Sequence, residues 1–168
     1  MIEQIGNTPL IELKYFSDLT GCKILGKAEF MNPGGSVKDR AAKYIIQHAL
    51  NHNQIKKGGT IVEGTAGNTG IGIALVGNYF GLRTIIVIPE TQTEEKKATI
   101  RSCGAELIEV PAVPYKDPNN YVKYSQRVAE TCDNSNGVLW ANQFDNVANK
   151  QGHFTDTGPE IYEQLAGK

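Results

Sequence analysis

The segment that decides the fold is TIVEGTAGNTGIGIALVGNYFGLRTIIVIP, residues 60–89. It opens with a short apolar strand (60–63), which a glycine-rich loop (64–70) follows. Residues 71–80 have the apolar composition of a buried helix. Residues 83–89 are a continuous run rich in β-branched residues, typical of a strand that is covered on both faces. A strand, a helix and a second strand in this order predict a βαβ unit with parallel strands.

The same alternation continues on both sides of this unit. Upstream, apolar residues at helical spacing predict a helix over 36–53, and Ser36 with Asp39 fits an S-x-x-D capping box at its start. Downstream, Asp117 and Pro118 are interpreted as the cap and first-turn proline of a later helix. The helix, strand, helix and strand predicted after the unit cover 93–104, 105–110, 119–133 and 137–142.

One helix followed by β-α-β-α-β-α-β predicts an α/β protein of three layers, a parallel sheet with helices on both faces. Ligands of such sheets bind at the carboxyl ends of the strands. The segments TAGNTG (65–70) and ANQFDN (141–146) each follow a predicted strand. We therefore expect both segments at that edge of the sheet.

The two ends of the chain do not follow the alternation. IGNTPLIEL (5–13) and ILGKAEF (24–30) resemble strands but have no obvious partner in the α/β unit. Thr157–Glu160 fits a T-x-x-E capping box, which predicts a helix that reaches Ala166 with Gly167 at its C′ position.

Composition narrows the classes of function. A hydrophobic content of 40% and a charged content of 21% describe a soluble globular protein. A net charge of -1 supplies no basic field for nucleic acid or an anionic membrane, and no apolar run is long enough to span a bilayer. Cys22, Cys103 and Cys132 form no C-x-x-C motif, and the N-terminus lacks the features of a signal peptide, so we expect reduced thiols in the cytoplasm.

The glycine-rich loop is a candidate anion site. A loop between a strand and a helix N-terminus points backbone N–H groups outward, and the helix dipole favours negative charge there. Thr65, Asn68 and Thr69 add side-chain donors. The alternative is a tight turn whose glycines serve packing only, because their spacing fits neither the dinucleotide motif nor the P-loop.

Lys38 is the second candidate. It follows Gly34 and Gly35 in NPGGSVKDR (32–40), in the first predicted helical turn, where the helix dipole repels its charge. It is either a solvated lysine or an amine that forms an imine with an aldehyde cofactor. In the second case, the glycines would let that cofactor approach the backbone.

Two further features are weaker candidates. His48 and His52 are four residues apart and could share a helix face, but no third ligand accompanies them, so we expect a solvated surface and no metal site. Cys103 lies near a predicted helix end, and nothing in the sequence places a base beside it.

Three motifs together resemble the cysteine synthase (O-acetylserine sulfhydrylase) family of fold-type II pyridoxal-phosphate enzymes. They are NPGGSVKDR (32–40), GTAGNTGIG (64–72) and ANQFDN (141–146), and the resemblance extends from Ile5 to the last residue. It implies the tryptophan-synthase-β-like fold. It covers only the N-terminal half of the family's chains, which are roughly twice as long as this one.

The resemblance implies roles for six residues. Lys38 would form a covalent imine with pyridoxal 5'-phosphate and act as the catalytic base. Asn68 would hydrogen-bond the ring hydroxyl of the cofactor. The residues that would hold the substrate carboxylate are Thr65, Ala66, Asn68, Thr69 and Gln143. Ala66 stands where many family members have serine, and Asp156 stands where threonine is usual, for which the sequence offers no account.

The implied reaction is a β-replacement, in which sulfide displaces the acetate of O-acetylserine to give L-cysteine. Two alternatives stay open: a related lyase of the cystathionine β-synthase or cysteine desulfhydrase type, and a non-catalytic remnant that binds partners. We expect a small amino-acid substrate, and a homodimer in the full-length family, whereas here the unpaired strands could pair with another chain.

The resemblance also implies a division into domains. Residues 36–146 would form a smaller α/β domain that carries the lysine and the substrate loop. Residues 1–35 and 147–168 would belong to a larger, incomplete domain. The loop that holds the cofactor phosphate would be missing from this chain.

Overall fold

The computed structural model describes residues 1–165. Within them the chain forms six strands and seven α-helices, of which the last two are joined by a turn of π-helix, His153–Thr157. The strands are β1 (Leu10–Glu12), β2 (Leu25–Lys27), β3 (Thr60–Gly64), β4 (Arg83–Pro89), β5 (Glu106–Val110) and β6 (Val138–Trp140). The helices are α1 (Lys14–Thr20), α2 (Lys38–Asn51), α3 (Asn68–Tyr79), α4 (Glu94–Ser102), α5 (Tyr121–Thr131), α6 (Val147–Gly152) and α7 (Gly158–Leu165).

The predicted parallel sheet is confirmed. Strands β3 to β6 form one four-stranded sheet in the order β5-β4-β3-β6, and all three pairings are parallel. Its central strands are buried from end to end, except for Arg83 at the start of β4. Burial on both faces explains why β4 is apolar without alternation.

Helices cover both faces of this sheet, as predicted. Ile86 and Ile88 pack with apolar residues of α2, α3 and α4 in one cluster. Ile85 and Val87, which alternate with them along β4, pack with α5 in a second cluster. The two clusters follow the two-residue period of a strand. The structure is therefore a three-layer α/β arrangement.

The starts of two helices differ from the prediction. The helix α2 begins at Lys38, and its predicted capping box does not form, because the Asp39 carboxylate accepts from the Gly34 N–H instead of the backbone of Ser36. The helix α3 begins at Asn68, three residues before the predicted start at 71. Asn68 and the two residues after it are thus part of a helix N-terminus, not of a loop.

The predicted cap of α5 is wrong as well. The side chain of Asn120 caps this helix by accepting from the Val122 N–H at 3.1 Å, and the helix starts at Tyr121. The Asp117 carboxylate accepts from the Asn119 N–H at 2.7 Å, so it closes a turn before the helix. An aspartate followed by proline signals such a turn as strongly as it signals a helix start.

The C-terminal segment is also helical earlier than predicted. The chain continues from α6 through the π-turn into α7, so Thr157 lies inside a helical segment and is not a cap. The predicted capping-box partner Glu160 binds side chains outside its helix instead. The predicted end at Ala166 and the C′ glycine Gly167 lie outside the described residues.

The N-terminal strands β1 and β2 pair with each other. They form an antiparallel pair in which Leu10 is opposite Lys27 and Glu12 is opposite Leu25. They lie outside the four-stranded sheet, as expected, but they are not without partners.

A buried ion network joins the two ends of the chain to α2. Arg40 is 0% exposed and forms paired hydrogen bonds of 2.8 and 2.9 Å with Glu29 and again with Glu160. Lys27 contacts Glu160 as well. Burial alone would raise the pKa of Glu160, but the hydrogen bonds from Arg40 and Lys27 outweigh it and lower that pKa to about 2. The network fixes the first turn of α2 against both ends of the chain.

No helix within residues 1–165 has the length and apolar character needed to cross a bilayer. Cys22, Cys103 and Cys132 are all free.

Candidate active site

Two segments that are far apart in sequence meet at the carboxyl edge of the sheet. Thr69 lies in the first turn of α3, after β3, and Gln143 follows β6, which pairs with β3. The Thr69 hydroxyl donates to the side-chain oxygen of Gln143 at 2.6 Å. Both side chains are buried. The structure thus brings two of the predicted substrate-binding residues into direct contact.

The N-terminus of α3 has the geometry of an anion cradle. Thr65 is buried, and its hydroxyl accepts from the Gly67 N–H at 3.1 Å, which turns the chain into the helix. Gly67 is the N-cap and provides no side-chain cap. Among the described residues the Gly70 N–H donates to the Gly67 carbonyl at 3.0 Å, whereas the Asn68 and Thr69 N–H groups have no intrahelical acceptor and can donate to a ligand. Ala66 is half-buried in this turn, and Asn68 is exposed at the first helical position.

Lys38 lies at the start of α2, against α3. A Cβ atom added to Gly72 would lie 2.9 Å from the Lys38 carbonyl oxygen and 3.2 Å from the Asp39 nitrogen. The absence of a side chain at Gly72 therefore lets the first residues of α2 pack against α3, one helical turn after the N-terminus of α3. Lys38 is half-buried, and its ammonium group donates to no acceptor among residues 1–165. Gly72 was not among the site residues predicted from the sequence.

The two glycines before Lys38 have structural reasons of their own. Gly35 has a φ of +76°, which favours glycine. A Cβ on Gly34 would clash with the Asp39 carboxylate, which accepts from the Gly34 N–H. The predicted reason, close approach of a cofactor, is therefore not needed to explain them.

Glu63 lies beside Gln143 and was not among the residues predicted from the sequence. It is the next-to-last residue of β3 and is 1% exposed. Its Oε1 accepts from the side-chain amide of Gln143 at 3.0 Å, and its Oε2 is buried without a partner among the described residues. Burial raises the pKa of the Glu63 carboxyl to about 8, although hydrogen bonds from Gln143 and Asn142 oppose the rise. A charged residue inside an apolar strand was the available signal.

The structure explains the unusual Asp156. Its carboxylate accepts from the Tyr44 hydroxyl at 2.7 Å, which links the π-turn to α2. Tyr44 also lies against the His153 ring, edge to face, with centroids 5.5 Å apart. Asp156 therefore serves packing between helices rather than the cradle.

The structure gives no support for a metal site at His48 and His52 or for a reactive thiol at Cys103. The rings of His48 and His52 stack at 4.0 Å, and no group of three or more potential metal ligands occurs within residues 1–165. Burial, with a smaller contribution from the charge of Asp39, raises the pKa of the Cys103 thiol, which disfavours the reactive thiolate.

The sequence of this chain is similar to those of known pyridoxal-phosphate dependent enzymes. The family model of pyridoxal-phosphate dependent enzymes matches residues 1–168. Cysteine synthase 1 of Neurospora crassa is 54% identical over 164 residues, which are 98% of this chain and 43% of that protein. Cysteine synthase 1 of Emericella nidulans is 52% identical over 168 residues, 100% of this chain and 45% of that one. The chain thus spans less than half the length of these relatives.

Relatives of lower identity include proteins named for other reactions. Cystathionine beta-synthase of Mus musculus is 39% identical over 171 residues, which cover 100% of this chain and 30% of that protein. Among solved structures, O-ureido-L-serine synthase matches with a TM-score of 0.87 and 35% identity, over 99% of this chain and 51% of that chain. The structural match confirms the predicted tryptophan-synthase-β-like fold class.

Proposed function

The chain belongs to the family of pyridoxal-phosphate dependent enzymes, and from that premise we propose that it carries the substrate-binding half of a cysteine synthase active site. The reaction would replace the acetate of O-acetylserine by sulfide to give L-cysteine. The observation that carries the proposal is the contact between Thr69 and Gln143 at the uncapped N-terminus of α3. The identity of 54% and 52% to two cysteine synthases favours this member of the family.

The residues present fit pyridoxal phosphate and an amino-acid substrate. The first N–H groups of α3 offer donors to a carboxylate. Lys38 offers an amine that no acceptor within residues 1–165 occupies. Any side chain at Gly72 would push these two elements apart. Because the cysteine synthase relatives are more than twice as long, we propose that their C-terminal part supplies the loop for the cofactor phosphate.

The proposed mechanism assigns each residue of the chain a task. Lys38 would hold the cofactor and then, as a neutral amine, remove the proton from the substrate Cα. The Thr65 hydroxyl, the Thr69 backbone N–H and the second N–H of the Gln143 amide would bind the substrate carboxylate, while the Thr69 hydroxyl holds Gln143. Asn68 would orient the cofactor ring. Pyridoxal phosphate, when bound, supplies the electron sink that makes this proton removable. Ala66 would contribute its backbone alone, because it lacks the hydroxyl of serine.

Several wider properties belong to the same proposal. The substrate and sulfide would be the small-molecule partners, the compartment would be the cytoplasm, and the complete enzyme would be a homodimer. Free thiols at all three cysteines agree with a reducing compartment. A net charge of -1 argues against binding to nucleic acid or membranes.

A related lyase is the second candidate. It is supported by the identity of 39% to cystathionine beta-synthase of Mus musculus, and by the same value for an O-acetylserine dependent cystathionine beta-synthase of Bacillus subtilis. These identities are lower than those to the two cysteine synthases. Providing homocysteine instead of sulfide as the acceptor separates the two candidates.

The first experiment tests Lys38 with a matched control. Lys43 lies in the same helix and is also half-buried, but its ammonium donates to the Ile5 carbonyl at the N-terminal segment. With pyridoxal phosphate, wild type and Lys43→Ala should show a protein-dependent absorbance band that Lys38→Ala lacks. After borohydride reduction, peptide mass mapping should find the cofactor on Lys38.

A second step tests the reaction itself. Cysteine should form from O-acetylserine and sulfide when the wild-type chain is supplied with the C-terminal part of a relative, and not with Lys38→Ala. Cofactor on another lysine, or a band that survives Lys38→Ala, would refute the assignment of Lys38. A band at Lys38 without cysteine formation would refute the proposed reaction.

A further inference from the structure

A buried carboxyl group lies directly behind the proposed substrate site. Glu63 is 1% exposed and follows Ile61 and Val62, which are fully buried apolar residues of the same strand. A buried carboxylate normally requires a cation or several hydrogen bonds. None of the ion pairs formed within residues 1–165 includes Glu63. Its one side-chain partner is the neutral amide of Gln143.

That partner is part of a chain of three side chains. Glu63 accepts from the Gln143 amide nitrogen at 3.0 Å, and the Gln143 amide oxygen accepts from the Thr69 hydroxyl at 2.6 Å. One N–H of the Gln143 amide is thereby used, and the second remains to donate to a ligand. The amide is held on both sides, so its orientation is set before a ligand arrives.

The charge state of Glu63 matters because the proposed ligand is an anion. An ionised carboxylate one side chain away from the cradle would repel the substrate carboxylate. Burial and the amide groups of Gln143 and Asn142 are the influences on its titration, and no charged side chain is among them. Because burial raises the pKa of this carboxyl group to about 8, its uncharged form is favoured at neutral pH.

We propose that Glu63, in its uncharged form, is the positioning residue that directs the Gln143 amide toward the substrate carboxylate. This inference rests on the proposed function, because it assumes that Gln143 binds a carboxylate. Glu63 acts through Gln143 and need not touch the substrate. Its acceptor oxygen is what the role requires, and a negative charge would oppose it.

Two substitutions separate the acceptor from the charge. Glu63→Gln keeps an oxygen that can accept from Gln143 and cannot ionise. Glu63→Leu replaces the carboxyl group by an apolar side chain of similar size and so removes the acceptor. Glu90→Gln is the control, because Glu90 follows the neighbouring strand β4 at the same edge of the sheet but is exposed.

The measurement is a titration of the cofactor-free chain with L-alanine, followed by NMR at the Gln143 side-chain amide and the Thr69 backbone amide. At about pH 6, wild type, Glu63→Gln and Glu90→Gln should bind within about twofold of one another, and Glu63→Leu about tenfold more weakly. At about pH 9, wild type and Glu90→Gln should weaken several-fold while Glu63→Gln does not.

Each contrary result has one meaning. Equal affinity of Glu63→Leu and wild type would overturn the positioning role, and equal pH dependence of Glu63→Gln and wild type would overturn the role of the uncharged form. Absence of any L-alanine binding to wild type would also overturn the inference, because there would be no carboxylate site to position. Failure of the proposed reaction would instead appear as a missing Lys38 adduct or missing cysteine, with the L-alanine titration unchanged.

Discussion

Replacing Arg40 by alanine should destabilise the fold far more than the same replacement at Arg83. The Arg40 side chain is 0% exposed and binds both oxygens of Glu29 and both oxygens of Glu160. Arg40→Ala would leave two carboxylates, 16% and 11% exposed, without their shared guanidinium. Breaking a buried pair in this way costs about 3–5 kcal/mol, and most of the loss should arise at Glu29, because Glu160 keeps Lys27 as a cationic partner.

Arg83 provides a control with the same chemistry and different burial. It forms the same paired hydrogen bonds with Glu106, at 2.7 and 2.8 Å, but the two side chains are 49% and 57% exposed. Water solvates both partners after the substitution, so Arg83→Ala should cost about 0–1 kcal/mol. The residue type and the paired hydrogen-bond geometry are matched, so the two sites differ in burial and in the number of carboxylates, which is two at Arg40 and one at Arg83.

Urea unfolding followed by the fluorescence of Trp140 and by circular dichroism measures both costs. We expect the free energy of unfolding to fall by about 3 kcal/mol more for Arg40→Ala than for Arg83→Ala. If Arg40→Ala fails to fold, Arg40→Lys retains the charge without the planar fork and should give an intermediate loss. Losses that agree within about 0.5 kcal/mol for the two alanine variants would refute the argument that burial makes this network matter.

Three further substitutions test the contacts of the C-terminal segment. The pKa of Glu160 is lowered from 4.5 to about 2, so its charge contributes fully to stability above about pH 4.5, and this contribution is lost as pH falls toward 2. In acid unfolding, the free energy of unfolding of Glu160→Gln should therefore fall less steeply with pH over this range than that of wild type. An equal pH dependence in the two proteins would contradict this. Gly152→Ala would place a Cβ inside the Tyr44 ring and should destabilise the fold by about 1–3 kcal/mol. A Cβ on Gly158 would have no neighbour closer than the His153 carbonyl oxygen at 3.4 Å, so Gly158→Ala should stabilise the helix by about 0.5–1 kcal/mol. Thermal melts measure both changes, and equal melting temperatures would contradict this contrast.

Elements with an unambiguous local signal were predicted well. The strand β4 has the predicted bounds, Arg83–Pro89, because a continuous β-branched run has few alternatives. The helix α4 begins after Thr93, whose hydroxyl accepts from the Lys96 N–H, as the sequence indicated. The start of α3 was missed because its N-cap, Gly67, is extended with a φ of -170° and offers no capping side chain to recognise.

Site residues whose partners are distant in sequence were harder to find. Thr69 and Gln143 were assigned to one site through the resemblance, and the topology of a parallel sheet places their segments at one edge. Arg40 binds residues 11 and 120 positions away, so no local pattern identifies it. Glu63 could have been noticed as a carboxylate in an apolar strand, but its partner lies 80 residues away.

The position of Lys38 is fixed from two sides. On one side, Gly72 allows the Lys38 carbonyl to pack against α3, which carries the cradle. On the other side, Arg40, two residues along α2, is tied to Glu29 and Glu160, which lie in the two segments proposed to form the larger domain. A movement of the proposed domains against each other would have to break one of these sets of contacts. Since the ion network costs several kcal/mol to break, we expect α2 to stay with the two ends of the chain.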